Sequence, residues 1–195
     1  MFKKKYLLFF GLLIIVVFLI PGCGSPIPPI TYTVGDTGPA GGYIFYDKGY
    51  YSSGWRYLEA APSDQSTGIQ WYNGNYVVTG AIGTAIGTGQ SNTTAIVTIQ
   101  GVGSYAAQLC NDLIVGGYND WFLPSKDEFD LIYENLYLAG VGGFFGDWES
   151  YTFESYHSSS EQDINNAWYQ VFPNGYQDYC DKSISDSRVR AVRAF

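Results

Sequence analysis

Residues 3–20 decide how much of this chain is available to fold. Lys3, Lys4 and Lys5 precede an unbroken apolar run of fifteen residues from Tyr6 to Ile20. A membrane span takes about 20 residues, so the run suits the apolar centre of an export signal. Cutting before Cys23 removes 22 residues and leaves 173 of 195, enough for one domain. The stretch Gly24-Ser25-Pro26-Ile27-Pro28-Pro29 cannot enter a helix or a central strand and reads as an extended tether. The expected organisation is therefore a signal over 1–22, a tether over 23–33 and a single domain over 34–195. Losing the three lysines also moves the charge from −8 to −11, with seven basic residues against eighteen acidic ones. A domain that acidic repels phosphate backbones, which excludes nucleic acid as a partner. Charged residues make up only 14% of the chain and aromatic residues 18%. Disorder is excluded as well, because Trp, Tyr, Phe, Ile and Val are plentiful enough to fill a core.

Ile20-Pro21-Gly22-Cys23 places an aliphatic residue three before a Cys and a small residue directly before it. This resembles the bacterial lipoprotein signal, which implies a Cys23 that is acylated and anchors the protein to the cell envelope, with the outer membrane or cell surface as the expected location. The other reading is an ordinary secretory signal with Cys23 left as a thiol. Cys110 and Cys180 then remain. Export takes them to an oxidising compartment where two thiols can pair. The alternatives are a Cys110–Cys180 disulfide, or a buried thiol on a helix and a separate one on a strand. A zinc or redox site lacks both a CxxC and a pair of His residues.

Along the domain, Tyr43 to Tyr46 and Trp55 to Glu59 flank the Gly-containing segment Asp47-Lys48-Gly49, which predicts an opening hairpin. Ala-Ile-Gly-Thr occurs twice, at 81–84 and 85–88, and no Lys-Ser or Lys-Thr follows the last Gly, so this is no phosphate loop. It reads as an ordered surface loop leading to a short helix near Asn92. Ala106, Leu109, Cys110 and Leu113 recur at helical spacing, with Ser104 as cap and Gly116-Gly117 as stop. Ser125-Lys126-Asp127-Glu128 is a capping box, and Phe129, Ile132, Tyr133 and Leu136 form the apolar stripe behind it. Trp121 and Leu123 are expected on alternate sides of a short extended segment that Pro124 ends. After Leu138 the pattern turns to strands, at 156–160, 167–172 and 188–195. A hairpin, two or three helices and then antiparallel strands make an α+β domain.

Several of these segments together resemble the C-terminal domain of the Legionella collagen-like adhesin, a family of bacterial surface proteins. They are Gly117-Tyr118-Asn119-Asp120-Trp121-Phe122-Leu123-Pro124-Ser125, then Ser158-Ser159-Ser160-Glu161 and Ala167-Trp168, and finally Val189 to Phe195. Val34 to Gly42 and Gly54 to Pro62 look like the opening of many members. His157 departs from the pattern, since many members carry Trp before the Ser run. The Trp121-x-Leu123-Pro124-Ser125 entry to a helix is also similar to C-type-lectin-like and formylglycine-generating-enzyme-like folds. The resemblance implies a C-type-lectin-like fold and an adhesin-like role without catalysis. Activity itself has to be argued from sites.

For a site, the stretch after the third helix offers Trp148, Glu149, Tyr156, Glu161, Asp163, Asn165, Asn166 and Trp168. Aromatic faces beside amides and carboxylates stack on sugar rings and bind hydroxyls, and the same anchors suit protein contacts. The expected partner is an extracellular glycan or protein. Glu161, Asp163 and Asn165 alternate at a spacing able to offer oxygens to Ca²⁺. The Glu-Pro-Asn and Gln-Pro-Asp triplets of calcium-dependent lectins are missing, and a hydrated polar loop is the simpler reading. No other cofactor is indicated. His157 lies next to Ser158, but adjacent strand residues point to opposite faces, so His157 is expected to pack rather than to activate a serine. The adhesin relative is associated with glycosaminoglycans. At −11, sulfated chains would need Arg188, Arg190 and Arg193 exposed together, so heparin-like binding is not carried over. The alternatives are a structural envelope component and an enzyme, either a hydrolase or a formylglycine-generating-like oxidase.

Overall fold

The computed structural model describes residues 30–146, 154–172 and 174–195. Thr31–Phe195 folds as one unit. Its first hairpin pairs β1 (Tyr43–Ser52) with β2 (Trp55–Ala60), Tyr43 opposite Ala60 and Ser52 opposite Trp55. The chain does not reverse at Asp47-Lys48-Gly49 as expected. Gly49 (φ 85°) kinks the strand there, and the reversal falls at Ser53 and Gly54, both with positive φ.

Three helices follow, α1 (Gly89–Gln100), α2 (Ala106–Asn111) and α3 (Lys126–Ile132), the last continuing as a π-helical turn over Tyr133–Tyr137. The second sheet consists of β3 (Glu154–Glu161), β4 (Asn166–Phe172) and β5 (Gln177–Asp181), antiparallel and in that order. The final β6 (Val192–Ala194) returns to β2 and completes the first sheet. Two antiparallel three-stranded sheets with three helices make the domain α+β.

The capping box forms as its sequence dictates. The Ser125 hydroxyl accepts from Glu128 N, and the Glu128 carboxylate accepts from Ser125 N at 2.7 Å. The same residues order the Ala-Ile-Gly-Thr repeat: Glu128 also accepts from Gly87 N, Ser125 Oγ donates to Ala85 O, and Asp127 N donates to Thr84 O. The low-complexity loop is thus the packing partner of a helix start, and a Cβ on Gly89 would collide with the Glu128 carboxylate. α2 is shorter than its pattern suggested. Tyr105 rather than Ser104 is its N-cap, and it ends at Asn111, before the glycines.

Two apolar clusters fill the interior. One holds Trp71, Ile96, Tyr105, Cys110, Trp121 and Leu123; the other holds Phe45, Leu58, Phe122, Phe129, Tyr156 and Phe172. Trp121 and Leu123 share one side and Phe122 takes the other, as the period of two in an extended chain requires, which corrects the alternate-side expectation. Opposite Phe122, Ala191 and Val192 divide between the clusters in the same way, and Phe122 and Val192 exchange backbone hydrogen bonds of 2.8 and 2.9 Å. The C-terminal segment therefore runs between the two clusters and joins them.

Candidate ligand-binding surface

Charged and polar side chains are turned inward to an unusual degree. Arg188, Arg190 and Arg193 are 8%, 1% and 3% exposed. Arg193 donates to both Asp120 oxygens and to Glu59, beneath the Tyr118 ring. Glu59 in turn accepts from Ala40 N and Gly42 N, and a Cβ on Gly38 would collide with its carboxylate. The Gly38-Pro-Ala-Gly-Gly motif is thereby explained as a glycine-lined cradle for a buried carboxylate. Arg190 donates to Asp64 at 2.6 Å and to the carbonyls of Ala61 and Gly142, under Phe144. Arg188 bridges Glu154 and Asp64. All three guanidinium groups are consumed internally.

Several residues expected to meet a ligand are part of this interior. Tyr156 is fully buried among Phe129, Phe144 and Phe172; its hydroxyl donates to Asp64 and accepts from Phe145 N. Glu161 is buried too, its carboxylate accepting from Thr79 N, Gly80 N and the Lys182 ammonium at 2.6 Å. Lys182 also donates to Ile164 O and lies 4.8 Å from the Trp71 ring. Tyr156 and Glu161 are therefore framework residues. The sequence pattern put both on a strand but could not tell which face is covered.

Asp163, Asn165 and Asn166 build the β3–β4 turn. Asp163 Oδ1 accepts from Asn165 N and Asn166 N, and the Asn166 amide donates to both Asp163 oxygens. These bonds hold the Asp163 carboxyl below its ordinary range. Glu161 points inward and Asp163 into its own turn, so the proposed calcium oxygens do not converge. No group of three or more His, Cys, Asp or Glu side chains is placed to hold a metal among the described residues. Trp148 and Glu149 lie outside the described residues.

His157 is buried, and its Nε2 lies 2.7 Å from Ile69 O, a carbonyl that can only accept, so this nitrogen carries the proton. Burial pushes its pKa down to about 4. The neighbouring hydroxyls are engaged elsewhere: Ser158 with Trp168 O, Ser159 with the Asn92 amide, Ser160 with Gly83 O and Lys126 N. Cys110 and Cys180 are free thiols, which resolves the cysteine alternatives in favour of separate residues. Cys110 sits in the first cluster beside α1, and Cys180 lies on β5.

What the fold leaves partly outside is the end of the β4–β5 ribbon around Trp168 and Tyr179, while Ala167, Gln170 and Phe172 of β4 are buried. Trp168 and Tyr179 face each other across the ribbon, edge to face at 5.5 Å, with the Lys126 ammonium 5.0 Å from the Trp168 ring. Asn166 and Asp181 share that face by register, and Tyr76 extends it by donating to Asp181 at 2.6 Å. On the opposite face a groove of about 300 Å³ is lined by Ser155, Tyr169, Val171, Cys180, Ile184 and Asp186. Burial, followed by the nearby Asp186, Asp181 and Asp178 carboxylates, raises the Cys180 thiol to about 11 and keeps it protonated. Of the expected site residues, Trp168 and Asn166 belong to this ribbon. Tyr179, Tyr169 and Tyr76 are additional. The signal for Tyr179 was available: a turn at Asn174-Gly175 after a strand calls for a second strand, and Gln177–Asp181 supplies it.

This arrangement can stack rings and exchange hydrogen bonds with hydroxyls, amides and carboxylates. No helix among the described residues is long and apolar enough to cross a membrane. A comparison with curated proteins found no match. The family model of the Lcl C-terminal domain matches residues 61–193, well over half of the chain, including the buried arginine cluster and the whole β4–β5 ribbon, and the chain belongs to that family.

Proposed function

We propose that this is a lipid-anchored protein of the bacterial cell envelope whose domain binds an extracellular ligand without catalysis, through the β4–β5 ribbon. The favoured ligand is an uncharged glycan, recognised by ring stacking on Trp168 and Tyr179 and by hydrogen bonds to Asn166, Asp181 and Tyr76. One observation carries this reading: the basic residues of the last segment are buried and ion-paired, while aromatic and hydroxyl groups remain at the surface. The family membership supports a surface adhesin-like role. A sulfated polymer would have to break those ion pairs to be bound. The non-catalytic part is supported by a neutral, buried His157 bonded to a carbonyl and by a protonated Cys180, neither of which is poised for attack.

An array of neutral glycans, sulfated glycans and matrix proteins probed with the folded protein tests the reading. Binding to neutral glycans that is lost on Trp168→Ala supports it, and no binding above controls to any of the three counts against it. Acylation is tested separately by mass spectrometry of the membrane fraction. A lipid on Cys23 is expected, and an unmodified mature N-terminus elsewhere would remove the anchor.

A further inference from the structure

We infer that the tip of the β1–β2 hairpin, Lys48 to Gly54, is a second interaction surface, which docks on the lipid bilayer. The inference rests on the lipid-anchor reading of Cys23. Seven lysines and arginines lie beyond the signal. Among the described residues, Arg56, Lys126, Lys182, Arg188, Arg190 and Arg193 each have a carboxylate within ion-pair distance, and Lys48 has none. Among the described residues, the cation without a carboxylate partner thus sits on this hairpin. Its ammonium lies 3.7 Å from the Trp55 ring, 6.0 Å from the Tyr50 ring, and donates to Ser52 O. Beside it Tyr50 and Tyr51 are 65% and 70% exposed. Tyrosine, tryptophan and lysine together are the side chains that settle at a membrane–water interface, with ring bodies among headgroups and the ammonium on lipid phosphates.

The tip is braced at its base. Asp47 accepts from Gly49 N and takes both a bidentate Arg56 pair and the kink that projects Lys48 to Tyr51 beyond the regular ladder. The chain enters the domain toward this end. Gly35 N bonds to Ile44 O at the base of the hairpin, whereas Tyr32 N bonds to the Tyr57 hydroxyl and its ring packs on Tyr57 and Phe195, closer to the tip. Seven residues separate Cys23 from Thr31. Fully extended they span at most about 28 Å, so an acylated Cys23 confines this end of the domain to the neighbourhood of the bilayer. The occupant assigned to the tip is therefore the headgroup region of the membrane that holds the anchor, entered chiefly by the tyrosine rings, with Lys48 on a lipid phosphate.

Depth measurement on the acylated full-length protein tests this. In a Cys180→Ser background, with Cys110 fully buried, a nitroxide is attached at Ser53→Cys or, as reference, at the highly exposed Val102→Cys on the turn after α1. The protein is reconstituted in phosphatidylcholine vesicles containing phosphatidylglycerol. The expected result is that it floats with the vesicles, that the label at residue 53 is relaxed more by oxygen than by a water-soluble nickel complex, and that the label at residue 102 shows the reverse. Adding Lys48→Glu and Tyr50→Ser should leave flotation intact and shift the label at 53 to the aqueous value. A floating protein with both labels in water would overturn the docking and leave the anchor standing; unchanged immersion in the double variant would overturn the assignment to Lys48 and Tyr50. Failure to float would remove the anchor and, with it, this inference.

Discussion

The last segment, Ser187 to Phe195, and the β4–β5 ribbon use the same kinds of residue in opposite ways. The segment is rich in arginine and buries all of it, each guanidinium closed by Asp64, Glu154, Asp120 or Glu59. The ribbon buries Phe172 in the second cluster but leaves Trp168 and Tyr169 half-buried, with Tyr176 and Tyr179 about half exposed. Residue type alone would assign the opposite roles, arginines to a polyanion and tyrosines to a core. The arginines lie on a segment that runs between two apolar clusters meeting at Phe122 and Val192, and their ion pairs make them framework residues. Trp168, Tyr169 and Tyr179 join neither cluster and are free to meet a ligand.

The largest test of the framework side is to remove one partner of a buried pair. Lys182→Met leaves the Glu161 carboxylate buried without its cation, and should cost about 3–5 kcal/mol in urea unfolding. Adding Glu161→Leu should recover much of that loss, because the second apolar change removes the stranded charge. Arg190→Ala acts in the same direction, since it removes one of the two guanidinium partners of Asp64 and releases the Gly142 and Ala61 carbonyls. A loss below about 1 kcal/mol for either single change would mean the interior charges are solvated and the contrast is false.

His157 gives the next effect. Its folded pKa of about 4 lies below the ordinary value of 6.5. Between those values the unfolded chain binds the extra proton, so stability is complete above about pH 6.5 and falls as pH drops toward 4. The total is on the order of 3 kcal/mol, at roughly 1.4 per unit. Unfolding midpoints measured from pH 7 to 4.5 should show the slope, and His157→Phe, which restores an aromatic of larger volume, should flatten it. An unchanged slope in His157→Phe would place the proton uptake elsewhere.

The legibility of this molecule in its sequence divides along the same line. The capping box at Ser125, the opening hairpin apart from the place of its turn, and the strand at 167–172 were readable because each depends on local geometry. What was not readable is which face of a strand is covered. Tyr156 and Trp168 stand on neighbouring strands, and packing against Phe129, Phe144 and Phe172 buries the first. Glu161 misled for the same reason, since its partner Lys182 is 21 residues away and pairs through the end of β5. The acidic balance did warn against a polyanion, yet it could not show that the arginines were already neutralised one by one.

On the ribbon side the expected effects are smaller in stability and larger in recognition. Trp168→Ala and Tyr179→Ala should each cost no more than about 1 kcal/mol of stability, because both rings are partly solvated. Each should weaken ligand binding by about tenfold or more, the usual loss for an aromatic anchor. Equal losses in stability and binding would make the ribbon part of the framework.

The most direct measurement is the salt dependence of binding by the folded protein to neutral and sulfated glycans, with Trp168→Ala beside the wild type. Binding to neutral glycans that persists from 50 to 500 mM salt and disappears in the variant is the predicted result. Binding confined to sulfated chains, abolished by salt and indifferent to Trp168→Ala, would contradict the account, because it would require the buried arginines to be the receptor.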